Sequence, residues 1–473
     1  MTLSHHRIIQ GGMGVGVSGS TLARAVSRLG QLGVVSGTAL DIVLSRRLQA
    51  GDSGGDVRRA LEHFPFPDMA RRVLDRYFVP GGKPRERSFL PVPRHSIPPH
   101  RRLTELVVLA NFVEVFLAKE GHEGSIGINF LEKIQLPTLP SLFGAMLARV
   151  DYVLMGAGIP RTIPGILDDL AAGKAVKLKL DVEESVPGDE FASEFDPREF
   201  CGGDPPALIR PRFLAIISSA ALAIALARKA TGRVDGFVIE GPSAGGHNAP
   251  PRGSVQLSGN GEPIYGERDL PDLEKIKLLG LPFWLAGSYG QPDKLAEALR
   301  LGASGVQVGT AFAFCEESGL DPELKRRVIA KSREGTLEVF TDPAASPTGF
   351  PFKVLQMEET ASDSRVYADR KRICDIGYLR HPYRTPGGAI GYRCPGEPVE
   401  NYLQKGGEIA DTVGRKCLCN GLIANMGLAQ VQAGGQEEKP LLTAGDDVRS
   451  IARLLKGGRD TYSASDVIQH LLG

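Results

Sequence analysis

Short runs of β-branched and other apolar residues recur along this chain, each closing on glycine or a polar residue. Nine of them read as strands: 7–10 (RIIQ), 32–37 (LGVVSG), 125–130 (SIGINF), 151–156 (DYVLMG), 175–182 (AVKLKLDV), 213–218 (FLAIIS), 235–241 (DGFVIEG), 282–288 (PFWLAGS) and 305–310 (GVQVGT). Amphipathic stretches at 20–29, 39–49, 100–119, 160–172, 218–231 and 291–301 carry a helical period between most of them. Apolar strands without alternation, separated by helices, predict a parallel sheet buried on both faces. Nine candidates compete for the eight places of a (β/α)8 TIM barrel. The stretch between 175–182 and 213–218 is acidic and rich in proline and glycine, so both are not expected in the barrel; 183–212 reads as an insertion or hairpin. A doubly wound open sheet shares this periodicity and stays open as an alternative.

Two further insertions interrupt the pattern. Residues 51–100 hold a helical piece and then a basic, proline-rich loop, and 248–268 is a long polar loop straight after a strand end. The expected organisation is a barrel over 1–340 with insertions at about 51–100, 183–212 and 248–268. A mostly helical C-terminal extension or lid follows over 341–473, with helices at 397–412, 447–456 and 463–472.

Composition changes this picture little. Apolar residues make up 42% and charged residues 23%, as in an ordinary globular protein. The net charge of +1 gives no electrostatic reason to propose nucleic acid or a membrane surface as a partner. No apolar run reaches membrane-spanning length, and MTLSHHRIIQGGMG lacks the apolar core and cleavage site of a secretory leader. With six sparse cysteines, the expectation is a cytoplasmic protein with reduced thiols. Four of them, Cys374, Cys394, Cys417 and Cys419, fall late; they suit buried free thiols better than a structural zinc site, since C-x-C is not the usual knuckle spacing.

QGGMGVGVSGS contains G-x-G-x-x-G at Gly14, Gly16 and Gly19, the grammar of a dinucleotide-binding unit. Three features oppose that reading. The second strand ends Val35-Ser36-Gly37-Thr38, without the acid that would hold a ribose. The strand–helix units continue to residue 310. Two later strand ends, LAGSYG (285–290) and GVQVGTAF (305–312), carry glycines where a barrel holds a phosphate, after strands seven and eight. There Gly287 and Gly309 let the backbone approach phosphate oxygens, and Ser288 and Thr310 add hydroxyl donors. Gly11, Gly12 and Gly14 then leave room for a flat ligand at the mouth of strand one, with Met13 as a soft surface against a ring. In IEGPSAGGHNAPPRG, Gly245 and Gly246 clear space before His247. Its imidazole, with an ordinary pKa near neutral, suits general-base work.

These motifs, in this order, resemble the nitronate monooxygenases: QGGMGVGVSGSTLARAV, GINF, EGPSAGGH, LAGS and GVQVGTAF, over roughly 5–45 and 120–320. The resemblance implies a barrel that binds FMN non-covalently and oxidises alkyl nitronates with O2 to carbonyl compounds and nitrite. It implies contacts to the flavin ring from Gly11, Gly12, Met13 and Asn129, with Lys179 near the ring's N1–C2 edge. Ala286, Gly287 and Ser288 match one phosphate loop, and Gly309 and Thr310 the other. His247 matches the active-site histidine, with Gly245 and Gly246 shaping its loop. No metal is implied. Departures are Gly11-Gly12 for the common Ala-Pro, Ser288 for a glycine, and a longer chain. The same cradle and histidine occur in FMN-dependent enoyl-thioester reductases that use NAD(P)H and in NAD(P)H:quinone reductases, which the motifs do not separate. An acyl-carrier protein would be a partner of the former, with 83–88 (KPRERS) and 93–102 as its basic approach surface.

Overall fold

A computed structural model describes residues 6–432 and 434–473; residues 1–5, part of the stretch read above for a leader, lie outside it. Eight strands form one parallel sheet: β1 (Ile8–Gln10), β2 (Gly33–Ser36), β3 (Ile126–Leu131), β4 (Tyr152–Gly156), β5 (Arg212–Ile217), β6 (Gly236–Glu240), β7 (Phe283–Ala286) and β8 (Gly305–Val308). Each pairs with its neighbours in sequence, and β8 pairs with β1. A bridge from Ile9 to Leu32 joins β1 to the approach of β2 and closes the ring. The sheet is therefore a (β/α)8 barrel rather than an open doubly wound sheet, and the Gly14–Gly19 turn sits at no switch point.

The strand sequences explain the closure. Ile9, Val34, Tyr152, Leu154, Leu214, Val238, Trp284 and Ala286 pack with one another inside the barrel. Their chain neighbours Ile8, Val35, Val153, Phe213, Phe237 and Leu285 join the larger core between strands and helices. Apolar residues at most positions thus bury both faces, the pattern of a strand lying between a barrel interior and a helical layer. Gly127 makes room inside: a Cβ there would sit 3.1 Å from Leu154 and 3.2 Å from Val34.

The ninth candidate strand lies outside. Val176–Lys179 pairs antiparallel with Ala192–Phe195 in a separate two-stranded sheet. Its burial alternates, Val176 and Leu178 in, Lys177 and Lys179 out, so it has one apolar face where a barrel strand needs two. Helices appear in all six expected places. One not anticipated, Thr138–Leu147, has almost every residue buried and hence no amphipathic period to read.

The extension is less helical than expected. It forms two antiparallel hairpins, Val339–Asp342 with Phe352–Leu355 and His381–Arg384 with Ile390–Arg393, between short helices; prolines and glycines at 343–351 and 386–396 turn the chain too often for longer ones. The last helix, Ala464–Leu472, packs against Ser20–Arg28 and Pro292–Arg300, and so completes the helical layer over β1 and β8. Among the described residues no helix is long and apolar enough to cross a membrane.

Candidate functional site

The C-terminal ends of the strands surround a cavity of about 200 Å3. Gly11, Gly12 and Met13 reach it from β1, Asn129 from β3, Glu240 and the loop through His247 from β6, Ala286–Ser288 from β7, and Gln307, Gly309 and Thr310 from β8. Every residue that the family resemblance assigned to the site lines this cavity except Lys179. That side chain stands on the solvent face of the outlying hairpin, because its strand left the barrel.

The first loop is held by short polar links. The Gln10 side chain donates to Ser18 Oγ at 2.9 Å and accepts from the Val34 amide at 3.0 Å. Ser18 Oγ donates to Gly11 O at 2.9 Å and accepts from the Met13 amide at 3.0 Å. The fingerprint glycines serve this turn: Gly14 and Gly16 have φ of +57° and +64°, and a side chain on Gly16 would strike Met426. Gly12 is small for a neighbour in the protein, since its Cβ would lie 2.5 Å from Asn129 Cβ. Gly11 meets Gln307 at ordinary contact distance.

At β7, Gly287 has φ +98° and Ser288 follows at φ +56°, a left-handed position unusual for a residue with a side chain. Ser288 Oγ is buried without a partner. Asn129 Oδ1, Gln307 Oε1, Asn425 Oδ1 and Asp447 Oδ1 share that condition around the same cavity. Buried polar atoms are normally satisfied, so five orphans lining one cavity mark a place built for a polar ligand.

The C-terminal extension forms the far wall. Thr443 Oγ1 accepts from the Gly246 amide at 2.9 Å, and the Gly445 amide donates to Thr310 Oγ1 at 2.9 Å. Gly245 is small because Ala444 and Gly445 press against it: its Cβ would lie 2.7 Å from Gly445 N. Its smallness therefore serves the packing of the extension rather than the clearance of space before His247. Arg453 Nη2 donates to Gly290 O at 2.6 Å, fixing the β7 loop from outside.

His247 Nε2 lies 2.7 Å from Ser346 Oγ, and Phe352 meets the ring edge-on at 4.9 Å. Burial lowers the imidazole pKa to about 4, so the ring is uncharged at neutral pH, a weaker base than expected. Where Ser346 donates to Nε2, the proton stays on Nδ1, a donor. Glu240, at the tip of β6, stands seven residues before His247 in the same motif, and the sequence reading assigns it no role. Burial alone pushes its carboxyl up to about 7, which puts it, rather than His247, in range for proton transfer near neutrality. A carboxylate closing a barrel strand was the signal that could have found it.

Glu240 and His247 also border a second cavity of about 320 Å3, lined by Ile159, Leu222, Pro250, Tyr265, Phe350 and Arg252. The 248–268 loop supplies three of these, and the Tyr265 hydroxyl donates to Ala249 O at 3.1 Å. In the basic loop, Lys83 Nζ is turned inward onto Arg87 O at 2.6 Å and Arg94 onto Cys374 O, while Arg85 and Arg87 are exposed.

Residues 210–348 match the family model for nitronate monooxygenase. A probable nitronate monooxygenase of Bacillus subtilis is 34% identical over 103 residues, 22% of this chain and 28% of that protein. The nitronate monooxygenase of Pseudomonas aeruginosa is 31% identical over 125 residues, 26% and 33% of the two chains. A Mycobacterium tuberculosis protein named as a hydroxy-methyl-oxo-octahydro-indene-carboxyl-CoA dehydrogenase is 27% identical over 139 residues, 28% and 34%. The chain thus spans about a third of the length of these curated relatives. The structure of FabK from Thermotoga maritima superposes with a TM-score of 0.46 at 16% identity, covering 99% of this chain and 92% of the other.

Proposed function

Because residues 210–348 belong to the nitronate monooxygenase family, we propose that this protein is a flavin-dependent oxidoreductase that holds FMN in the barrel mouth and oxidises alkyl nitronates with O2 to carbonyl compounds and nitrite. One observation carries the reading: Asn129, Ser288 and Gln307 present orphaned buried polar atoms to a cavity that the glycine-bearing loops of β1, β7 and β8 also line. The residues fit the group. Gly287, Ser288, Gly309 and Thr310, with Ala286, would hold its phosphate; Gly11, Gly12, Met13 and Asn129 would flank its ring. Lys179 is too remote to join them. Bound there, FMN supplies the one- and two-electron chemistry.

The side chains then have separate tasks. A nitronate is already an anion, so no strong base is needed to form it. Neutral His247, held by Ser346, orients that anion by hydrogen bonding. Glu240, titrating near neutrality, takes or returns a proton at the wall between the two cavities. Phe350, Phe352 and the 248–268 loop limit water there.

A second reading is reduction of an enoyl thioester by NAD(P)H, with an acyl-carrier protein as donor partner; reduction of a quinone is a third. The second cavity favours the thioester, being apolar on one side and carrying Arg252 on the other, as a long acyl chain with an anionic handle would need. The name of the Mycobacterium tuberculosis relative, a CoA thioester enzyme, agrees with it.

Anaerobic mixing separates these readings. FMN-loaded protein should bleach with ethyl nitronate, and replacing His247 by alanine should slow that bleaching by about a hundred- to a thousandfold. Fast bleaching by NADH or NADPH with none by the nitronate would select the reductase. Protein that takes up no FMN would remove all of them.

A further inference from the structure

The extension brings to the cavity two buried side-chain oxygens that are unpartnered among the described residues, Asn425 Oδ1 and Asp447 Oδ1. Neither residue belongs to a motif read from the sequence, and both lie beyond the stretch matched to the family.

Each is held so that an acceptor is its open end. Asn425 follows the helix Leu418–Ala424. Its carbonyl accepts from the Asp321 amide at 2.8 Å, and its Nδ2 donates to Leu441 O at 2.9 Å. The side-chain donor is thus spent within the protein, and Oδ1 is left over on a residue that is 2% exposed. Met426, the next residue, packs against Gly16, which puts Asn425 beside the β1 turn. Asp447 sits by the other loops. A Cβ on Gly445 would lie 3.0 Å from Thr310 Oγ1 and 3.1 Å from Asp447 Oδ1, and a Cβ on Gly290 would lie 3.1 Å from Asp447 Oδ2 and 3.3 Å from Arg453 Nη2. One carboxyl oxygen therefore faces Gly290 and Arg453 beside the β7 loop, and the other faces Thr310 at the start of the β8 loop.

The chemistry of these atoms says what they await. Around the cavity, the unpartnered atoms of Asn129, Gln307, Asn425 and Asp447 are all acceptors; Ser288 alone of the five has a proton to give. Buried acceptors call for donors. In FMN the phosphate brings acceptors and the ring brings a single N–H. The other donors are the hydroxyls of the ribityl chain that joins them. Asn129 and Gln307 stand against Gly12 and Gly11, on the side assigned to the ring. The ribityl hydroxyls are left for the two oxygens of the extension. Resting on the reading that FMN occupies the barrel mouth, we propose that Asn425 and Asp447 are flavin-binding residues that accept hydrogen bonds from the ribityl hydroxyls. The barrel loops would hold the two ends of the cofactor, and the extension its middle.

The test is the affinity of the flavin-free full chain for three probes, read by quenching of flavin fluorescence. They are FMN, riboflavin, and the 10-pentyl isoalloxazine that keeps a chain of the same length without hydroxyls. The wild-type protein should bind riboflavin at least about tenfold tighter than the pentyl compound. Asp447→Ala should weaken riboflavin by about ten- to a hundredfold and Asn425→Ala by about three- to tenfold, while the pentyl compound binds each within about twofold of wild type. Asp447→Asn, which keeps an acceptor oxygen, should restore riboflavin binding to within about threefold. Circular dichroism checks that the variants fold; should they not, the wild-type preference for riboflavin over the pentyl compound still decides. Equal wild-type affinity for those two, unchanged riboflavin binding in both alanine variants, or a loss confined to FMN, which would set Asp447 against the phosphate, would overturn the proposal and leave FMN binding in place. A wild-type protein that takes up no flavin would overturn the underlying reading as well.

Discussion

Glu240 and His247 border the same two cavities, and the same burial moves them in opposite directions, the carboxyl up to about 7 and the imidazole down to about 4. Each shift becomes a pH-dependent stability. The folded Glu240 holds its proton over a range where the unfolded chain has lost it, so its contribution is full below about 4.5 and is lost as pH rises through about 7. For His247 the unfolded chain binds the extra proton, so its contribution is full above 6.5 and is lost as pH falls toward 4. Between these limits the two slopes oppose each other. Glu240→Gln should therefore change stability little at pH 4.5 and raise it by up to about 3 kcal/mol at pH 8, as read by urea denaturation. At this scale the histidine was legible, because two glycines before an imidazole at a strand end are a local sign. Its depressed pKa was not, since Ser346 and Phe352, about a hundred residues on, bury it.

The strands of the barrel could be read almost to the residue, because a strand buried on both faces writes its length as an unbroken apolar run. The family resemblance put Lys179 in the site, although the alternation Val-Lys-Leu-Lys at 176–179 already described a strand with one wet face. Thr138–Leu147 shows the converse, a helix buried all round that leaves no period. Loop geometry gives two predictions. Gly12→Ala should cost about 1–3 kcal/mol in thermal or denaturant melts, since the new Cβ overlaps Asn129. Ser288→Gly should relieve a left-handed backbone and stabilise the fold by up to about 1 kcal/mol, while weakening FMN retention measured by ultrafiltration, because the orphaned hydroxyl is removed.

On the scale of the whole molecule, the closed sheet was legible and the part played by the chain's last third was not. Contacts between Thr443 and Gly246, Gly445 and Thr310, or Tyr462 and Ala311, whose hydroxyl–carbonyl distance is 2.7 Å, join residues more than a hundred positions apart, and no local pattern announces them. A chain cut after residue 340 should show no cooperative melting transition by circular dichroism, because it lacks both the far wall of the cavity and the helix over β1 and β8. That wall has a bearing on ancestry. The stretch shared with the nitronate monooxygenases stops at residue 348, before Phe352, Leu422, Asn425 and Thr443–Gly445 are reached. That match therefore carries the β6, β7 and β8 side of the floor on which a cofactor would lie, whereas the roof over it is built from residues beyond the match.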